Sequence, residues 1–269
     1  MKRSIIILSA VLSIVAACSG VFAHEMWANA EYSEGLLKAD LGYGHVFPVP
    51  EEIPADRTHL FEALKLVAPD GTKEMTQTGK NYHYELKVDM PKGDYIIRAD
   101  YVPTFWAEGK DGWKQTDRTG YKKLTGSDPT HVEEAIMYAK YIFNVDGADS
   151  TNVITKPVGQ KLEIVPQVNP ATVKPEGRFP VQVLLDGKPA ASVEVKGVYD
   201  GFNGRAEEED PANGYKAFYG KTDSNGVVNI IPVKAGYWNV YVQIEPEYPD
   251  KSVADVYVLV ARMSFNINN

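Results

Sequence analysis

The sequence predicts an all-β protein made of two β-sandwich-like domains, the C-terminal one immunoglobulin-like. Three observations carry that expectation. Sixteen Tyr, 22 Gly and 17 Pro in 269 residues favour strands and turns over helices. Short apolar runs alternate with polar residues at a period of two. Clusters of turn-forming residues separate those runs.

The first 23 residues read as an address. Lys2 and Arg3 precede an apolar run from Ile5 to Ala17, and small residues follow up to Ala23. A basic start, a short apolar stretch and small residues before the cut make an export signal, cleaved after Ala23. The run is too short for a membrane helix, which takes ~20 apolar residues. Val15-Ala16-Ala17-Cys18 also resembles a lipobox, so the alternative is a lipoprotein anchored through Cys18. Both routes lead to the periplasm, and no later segment is apolar enough to span a membrane. Cleavage after Ala23 makes His24 the first residue of the mature chain.

The N-terminal domain is expected over residues 24–157. Leu64, Leu66 and Ala68 form a strand closed by Pro69-Asp70-Gly71. Tyr82, Tyr84, Leu86, Val88 and Met90 alternate with polar residues, and beyond Pro91-Lys92-Gly93-Asp94 the pattern resumes at Tyr95, Ile97, Ala99 and Tyr101. The two runs together predict a β-hairpin with a longer loop. Trp106 to Pro129 is polar and predicts a long surface excursion. Val132, Ala135, Ile136 and Ala139 have helical spacing, which predicts a helical turn from His131 that passes into a strand at Tyr141-Ile142-Phe143.

A boundary is expected between Pro157 and Gln160, with the immunoglobulin-like sandwich over residues 160–269. Its strands are Leu162–Pro166, Phe179–Leu185, Val193–Tyr199, Val227–Val233, Trp238–Ile244 and Val256–Phe265. Asp186-Gly187-Lys188-Pro189, Asp223-Ser224-Asn225-Gly226 and Lys234-Ala235-Gly236 supply the turns. Six or seven strands in about 110 residues is the count such a sandwich needs. Glu207-Glu208-Glu209-Asp210 reads as a solvated acidic loop.

Charge and cysteine content exclude several functions. With 36 acidic and 28 basic side chains the formal net charge is −8. That balance argues against nucleic acid and anionic lipid as partners and is compatible with attracting metal cations. One cysteine forms no internal disulfide and no Cys-cluster zinc or iron–sulfur site.

All five histidines, at 24, 45, 59, 83 and 131, fall in the first domain. A mature N-terminal histidine offers both its α-amine and its imidazole to one ion, and nitrogen-rich sites suit nickel, copper and zinc. His45 lies in Gly42-Tyr43-Gly44-His45-Val46-Phe47-Pro48, where a stiffened loop presents a second imidazole. The candidate metal residues are therefore His24, His45, His59 and Glu25. Glu51 and Glu52 stand nearby as oxygen donors or as acceptors that fix the ring tautomers. His59 is the weaker third imidazole, and His83 belongs on the polar face of its strand. For each of these, a solvated or hydrogen-bonded side chain with no ion is the plain alternative.

Several segments in order resemble a periplasmic accessory family of bacterial nickel and cobalt uptake, formerly a domain family of unknown function. They are Ala23-His24-Glu25-Met26-Trp27, Gly44-His45-Val46-Phe47-Pro48, Leu162-Glu163-Ile164-Val165-Pro166 with Asn169-Pro170, Gly187-Lys188-Pro189, Thr222-Asp223-Ser224-Asn225-Gly226 and Gly236-Tyr237-Trp238. The resemblance implies a binder of a divalent transition metal, nickel first and cobalt or copper next, that serves a membrane transporter and is not an enzyme. Its histidine positions correspond to His24 and His45. Two other readings stand beside it. One is a copper histidine-brace oxidative enzyme, with Tyr43 or Phe47 as the axial aromatic. The other is a structural or adhesive surface module with incidental histidines.

Overall fold

The computed structural model describes residues 24–147, 150–202 and 216–269. Residues 1–23, expected to be an export signal with Cys18, and the run Glu207–Asp210, expected to be a solvated acidic loop, lie outside the described residues. Among those described, no helix is long and apolar enough to cross a membrane.

Strands are numbered in chain order. A central nine-stranded sheet runs in the order β14 (Phe218–Lys221), β13 (Glu194–Tyr199), β16 (Gly236–Ile244), β17 (Val256–Ile267), β9 (His131–Val145), β7 (Gly93–Asp100), β3 (Lys65–Ala68), β4 (Gly71–Glu74). Its ninth strand, β8 (Thr104–Glu108), pairs with β9. One four-stranded sheet has the order β1 (Glu25–Ser33), β2 (Leu36–Gly44), β6 (His83–Lys87), β5 (Thr76–Gln77). Another consists of β10 (Leu162–Pro166) and β11 (Phe179–Leu185), with β12 (Lys188–Pro189) and β15 (Val227–Ile230) also paired to β11.

Alternation along the central strands shows how the layers stack. On β9, Ala135, Met137, Ala139 and Tyr141 enter one core with Met26, Ala28 and Leu37 of the β1–β2 pair. Ile136 and Ile142 enter the other core with Ile164, Val181 and Val183 of the opposite layer. On β17, Val258 and Val260 serve the first core, and Leu259, Ala261, Met263 and Phe265 the second. The protein is thus all-β, with two sandwich cores on opposite faces of one shared sheet. Trp238, Val240 and Val242 are fully buried in the second core, the immunoglobulin-like half.

Four sequence expectations change. The halves expected to divide near Pro157–Gln160 share the central sheet, because β17 pairs in parallel with β9. The hairpin expected from Tyr82 to Tyr101 does not form: β6 pairs with β2 and β5, whereas β7 pairs with β3 and β9. Both strands alternate because they face the same core from opposite layers, and buried Met90 lies on the crossing between them. The helical turn expected at His131 is the start of a 15-residue strand. A strand covered on both faces reads as a near-continuous apolar run, and that hides the period of two. The excursion after Trp106 contains a helix, α1 (Arg118–Thr125). Asp117 caps it by accepting from the Gly120 N–H, and Gly126 ends it in the left-handed region.

A buried ion pair ties the layers together. Lys140 of β9 donates to Glu163 of β10 at 2.8 Å, and both side chains are 1% exposed. Glu163 also accepts from the backbone N–H groups of Val158, Gly159 and Gln160. The linker between the halves is therefore held to the shared sheet by charge-assisted hydrogen bonds.

Candidate metal centre

The site begins with a turn at the far end of β1 and β2. Glu34 and Gly35 both have positive φ, 52° and 79°, in the two-residue connection between Ser33 and Leu36. Such a turn matches strand twist and sets a single register. In that register Glu25 faces Gly44, so the next position of the ladder sets His24 opposite His45.

Beyond Gly44 the chain folds back on itself. The Val49 N–H donates to the Val46 carbonyl at 2.7 Å, and the Glu51 N–H donates to the Tyr43 carbonyl at 2.8 Å. That return carries the Glu51 carboxylate under His45, where it accepts from the backbone N–H at 3.1 Å and meets ring Nδ1 at 2.7 Å. Gly44 makes room for it, since a Cβ there would stand 3.2 Å from Cγ and Oε1 of Glu51. Three aromatic residues brace the loop. Phe47 packs edge-on against buried Trp27 at 5.6 Å and lies 4.7 Å from the ring of Tyr237, whose hydroxyl donates to the Ala28 carbonyl.

The outcome is a cluster of two imidazoles and a carboxylate. One ligand atom from each of His24, His45 and Glu51 lies within 4.8 Å of the others. The histidine rings are 4.0 Å apart between centroids, and His24 Nε2 is 3.7 Å from Glu51 Oε2. His24 is 25% exposed and the other two side chains 48%, so an ion could enter from solvent. Tyr43 stacks on His24 at 4.7 Å, within 8° of parallel, and edge-to-face contacts run on from Tyr43 through Phe61 to Tyr101.

The electrostatics favour a neutral imidazole beside an ionised carboxylate. Burial, reinforced by His45 and Arg57, holds His24 below its ordinary pKa, although Glu51 opposes the shift. The hydrogen bond from His45 holds Glu51 below the usual carboxylate range. Burial raises Tyr43. Two imidazole nitrogens and a carboxylate oxygen form a donor set for a divalent first-row transition ion.

The other candidates lie elsewhere. The Glu25 carboxylate forms an ion pair with Arg262 at 3.1 Å and is not part of the cluster. His59 is also outside it, with its ring nitrogen 3.2 Å from the Gln115 amide. His83 pairs with Asp40, and His131 with Glu133. Glu51 was legible only as a nearby carboxylate, since the fold-back that selects it over Glu25 depends on backbone pairing. Arg57, whose positive charge acts on both Tyr43 and His24, left no sequence signal.

Fold and site together define a β-sandwich protein with a surface cluster of two histidines and one glutamate. The chain belongs to the family described as a domain of unknown function (DUF4198), whose model matches residues 21–245. No curated protein matches it significantly. Among solved structures it is similar to the D0-D1 domain of intimin, at 14% identity over 90% of this chain and 97% of that chain, with a TM-score of 0.22. The D00-D0 domain of intimin shares 11% identity over 91% of this chain and 100% of that one, TM-score 0.22. Native alpha-2-macroglobulin from Escherichia coli, spanning domains MG0-NIE-MG1, shares 12% over 90% and 73%, TM-score 0.20. Superpositions this loose carry no argument about function.

Proposed function

We propose that this protein is an exported periplasmic binder of a divalent transition metal, nickel or cobalt, that hands its ion to a membrane transporter and is not an enzyme. The observation that carries the reading is the convergence of His24, His45 and Glu51 within 4.8 Å. Three features support it. The donors are nitrogen and oxygen with no thiolate, which suits ions of this class. The Glu51 hydrogen bond orients the His45 ring, as outer partners of metal-bound histidines do. Cleavage after Ala23 would add the free α-amine of His24 as a fourth donor. In this reading the ion is cargo, and half-exposed ligands suit a site that must release it.

Calorimetric titration of nickel into three proteins tests the proposal: the mature form beginning at His24, a form extended by one residue, and His24→Ala. The mature form is expected to bind one ion. The extension turns the amine into an amide, so it should weaken binding nearly as much as His24→Ala. Because His24 is held below the ordinary imidazole pKa, protons should compete for its ring only at pH below about 6.5, whereas they compete for the α-amine already below about pH 8. No binding by the mature form would refute the reading, and a preference for copper with peroxide-dependent turnover would replace it with the oxidative enzyme.

A further inference from the structure

We propose that the cleft at the split end of the central sheet binds a neutral saccharide of one or two rings. The site is separate from the histidine cluster and does not rest on the metal-binding reading.

The cleft follows from strand pairing. β17 and β9 run parallel and pair from Val256 opposite Glu133 to Ser264 opposite Tyr141. β9 then continues to Val145 and β17 to Ile267, and among the described residues no ladder joins these last stretches. Each strand follows its outer neighbour instead: β9 stays with β7 as far as Gly93 opposite Val145, and β17 stays with β16 as far as Gly236 opposite Ile267. Here lies a cleft of about 490 Å³, within the roughly 300–1,000 Å³ of small-molecule sites. Tyr32 of β1 and the short helical turn Pro170–Thr172 also line it. Tyr32 is eight residues along β1 from His24, roughly 26 Å of extended strand, so the cleft is remote from the cluster.

The lining is polar and nearly free of charge. Four of its residues are asparagines; among the described residues that line it, none is Lys, Arg or His, and Asp146 is the one carboxylate. The Tyr141 and Phe143 rings stand parallel, within 1° and at 5.6 Å between centroids. The Asn266 amide donates to the Tyr141 hydroxyl at 3.0 Å, and the Asn268 amide donates to the Ala171 carbonyl at 3.1 Å. Each of these two exposed asparagines gives one N–H to the protein and keeps its amide oxygen and second N–H for a ligand. Burial pushes Tyr141 up to about 12, so its hydroxyl keeps its proton as a further donor. The strand edges that part here add backbone N–H and C=O groups that no ladder among the described residues uses.

That chemistry selects by exclusion. A phosphate or carboxylate ligand finds no cation to pair with, and a metal ion finds one carboxylate and no imidazole. An apolar ligand would strip water from the amides and strand edges without replacing the hydrogen bonds, which is unfavourable. An extended peptide would use the strand edges and leave the rings and amides idle. A sugar uses all three. Its C–H faces pack on aromatic rings, whose faces carry negative charge, and its hydroxyls both donate and accept, as the amides do.

Ligand-observed NMR of the chain beginning at His24 tests this against glucose, galactose, mannose, N-acetylglucosamine, maltose, cellobiose and chitobiose. At least one sugar should bind saturably at one per protein, and nickel chloride should leave that binding unchanged. Phe143→Leu, which keeps apolar bulk and loses the ring, should weaken it by about tenfold or more. The double variant Asn266→Ala/Asn268→Ala, at two exposed positions, should weaken it as much and stay folded, which thermal unfolding reports. Should Phe143→Leu unfold, the double variant alone decides. The proposal fails if none of the sugars binds, or if either folded variant binds them as the native chain does. It fails equally if binding requires nickel, which would assign the sugar to the histidine cluster. Binding of the capped peptide acetyl-Thr-Val-Thr-Val-amide in place of the sugars would overturn it in favour of a peptide site.

Discussion

Gly42→Ala tests how the loop that carries His45 is held. Gly42 faces Trp27 directly in the β1–β2 ladder. A methyl there would stand 2.1 Å from Cε2 and Nε1 of the indole. Carbon atoms pack best at ~3.5–4.0 Å, so the overlap is about 1.5 Å. Trp27 is 0% exposed and meets Phe47 edge-on, so it cannot move aside without disturbing the loop that carries His45. Overpacking costs ~1–3 kcal/mol, and losing a buried Trp side chain altogether costs ~3–5 kcal/mol. The φ of Gly42 is not positive, so alanine recovers ~0.4–1 kcal/mol through the unfolded chain. The expected net loss is about 2–3 kcal/mol, or roughly 5–10 °C in Tm for a chain of this size. Urea unfolding of the chain beginning at His24 measures it, and on the proposed function nickel titration of the same variant should show weaker binding. Trp27→Leu removes the atoms that clash, so the double variant should be more stable than the sum of the single losses by over ~0.5 kcal/mol. Strict additivity, or a Gly42→Ala loss below ~0.5 kcal/mol, would refute the reasoning.

Two further predictions concern ionised groups. Lys140→Met strands the Glu163 carboxylate in the interior and should cost ~3–5 kcal/mol in urea unfolding, whereas adding Glu163→Gln should restore much of that. A loss under ~1 kcal/mol would mean that the three backbone N–H groups satisfy Glu163 without the lysine. His131 is raised above its ordinary pKa, mainly by its hydrogen bond to Glu133. Its contribution to stability is therefore complete below about pH 6.5 and is lost as pH rises through the higher folded value. Unfolding measured across that window should slope downward in the native protein and flatten in His131→Gln; identical slopes would exclude the pair.

Strand positions were legible where one face is wet or a turn is explicit. Leu162–Pro166 and Phe179–Leu185 form where the pattern put them, and Pro69-Asp70 closes the hairpin between β3 and β4. Pairing was less legible, because alternation reports which face is buried and not which layer covers it. Tyr84 and Tyr95 read as hairpin partners, yet they reach one core from two sheets. Strands buried on both faces, such as β9, lose the period altogether. The same limit applies to the site. His24 and His45 stood out by position, whereas Glu51 was selected by a fold-back and Glu25 was drawn away by Arg262, 237 residues further along the chain.

The register argument explains why the two histidines meet at all. Ser33 pairs with Leu36 across the Glu34-Gly35 turn, and each step away from it adds one pair until Glu25 faces Gly44. One more step gives His24 and His45. A two-residue closure costs little loop entropy, so the hairpin can bring the candidate first residue of the mature chain to the loop without help from the rest of the protein. Register alone does not make a site, because a free hairpin would splay at its open end, and that is where both imidazoles are. Trp27, Phe47 and Tyr237 hold that end closed, and Tyr237 comes from the second half of the chain. Its hydroxyl bond to Ala28 fastens β1 to the shared sheet. The N-terminal hairpin and the fold-back after it thus supply the three side chains of the cluster, and the C-terminal half supplies the rigidity that keeps them together.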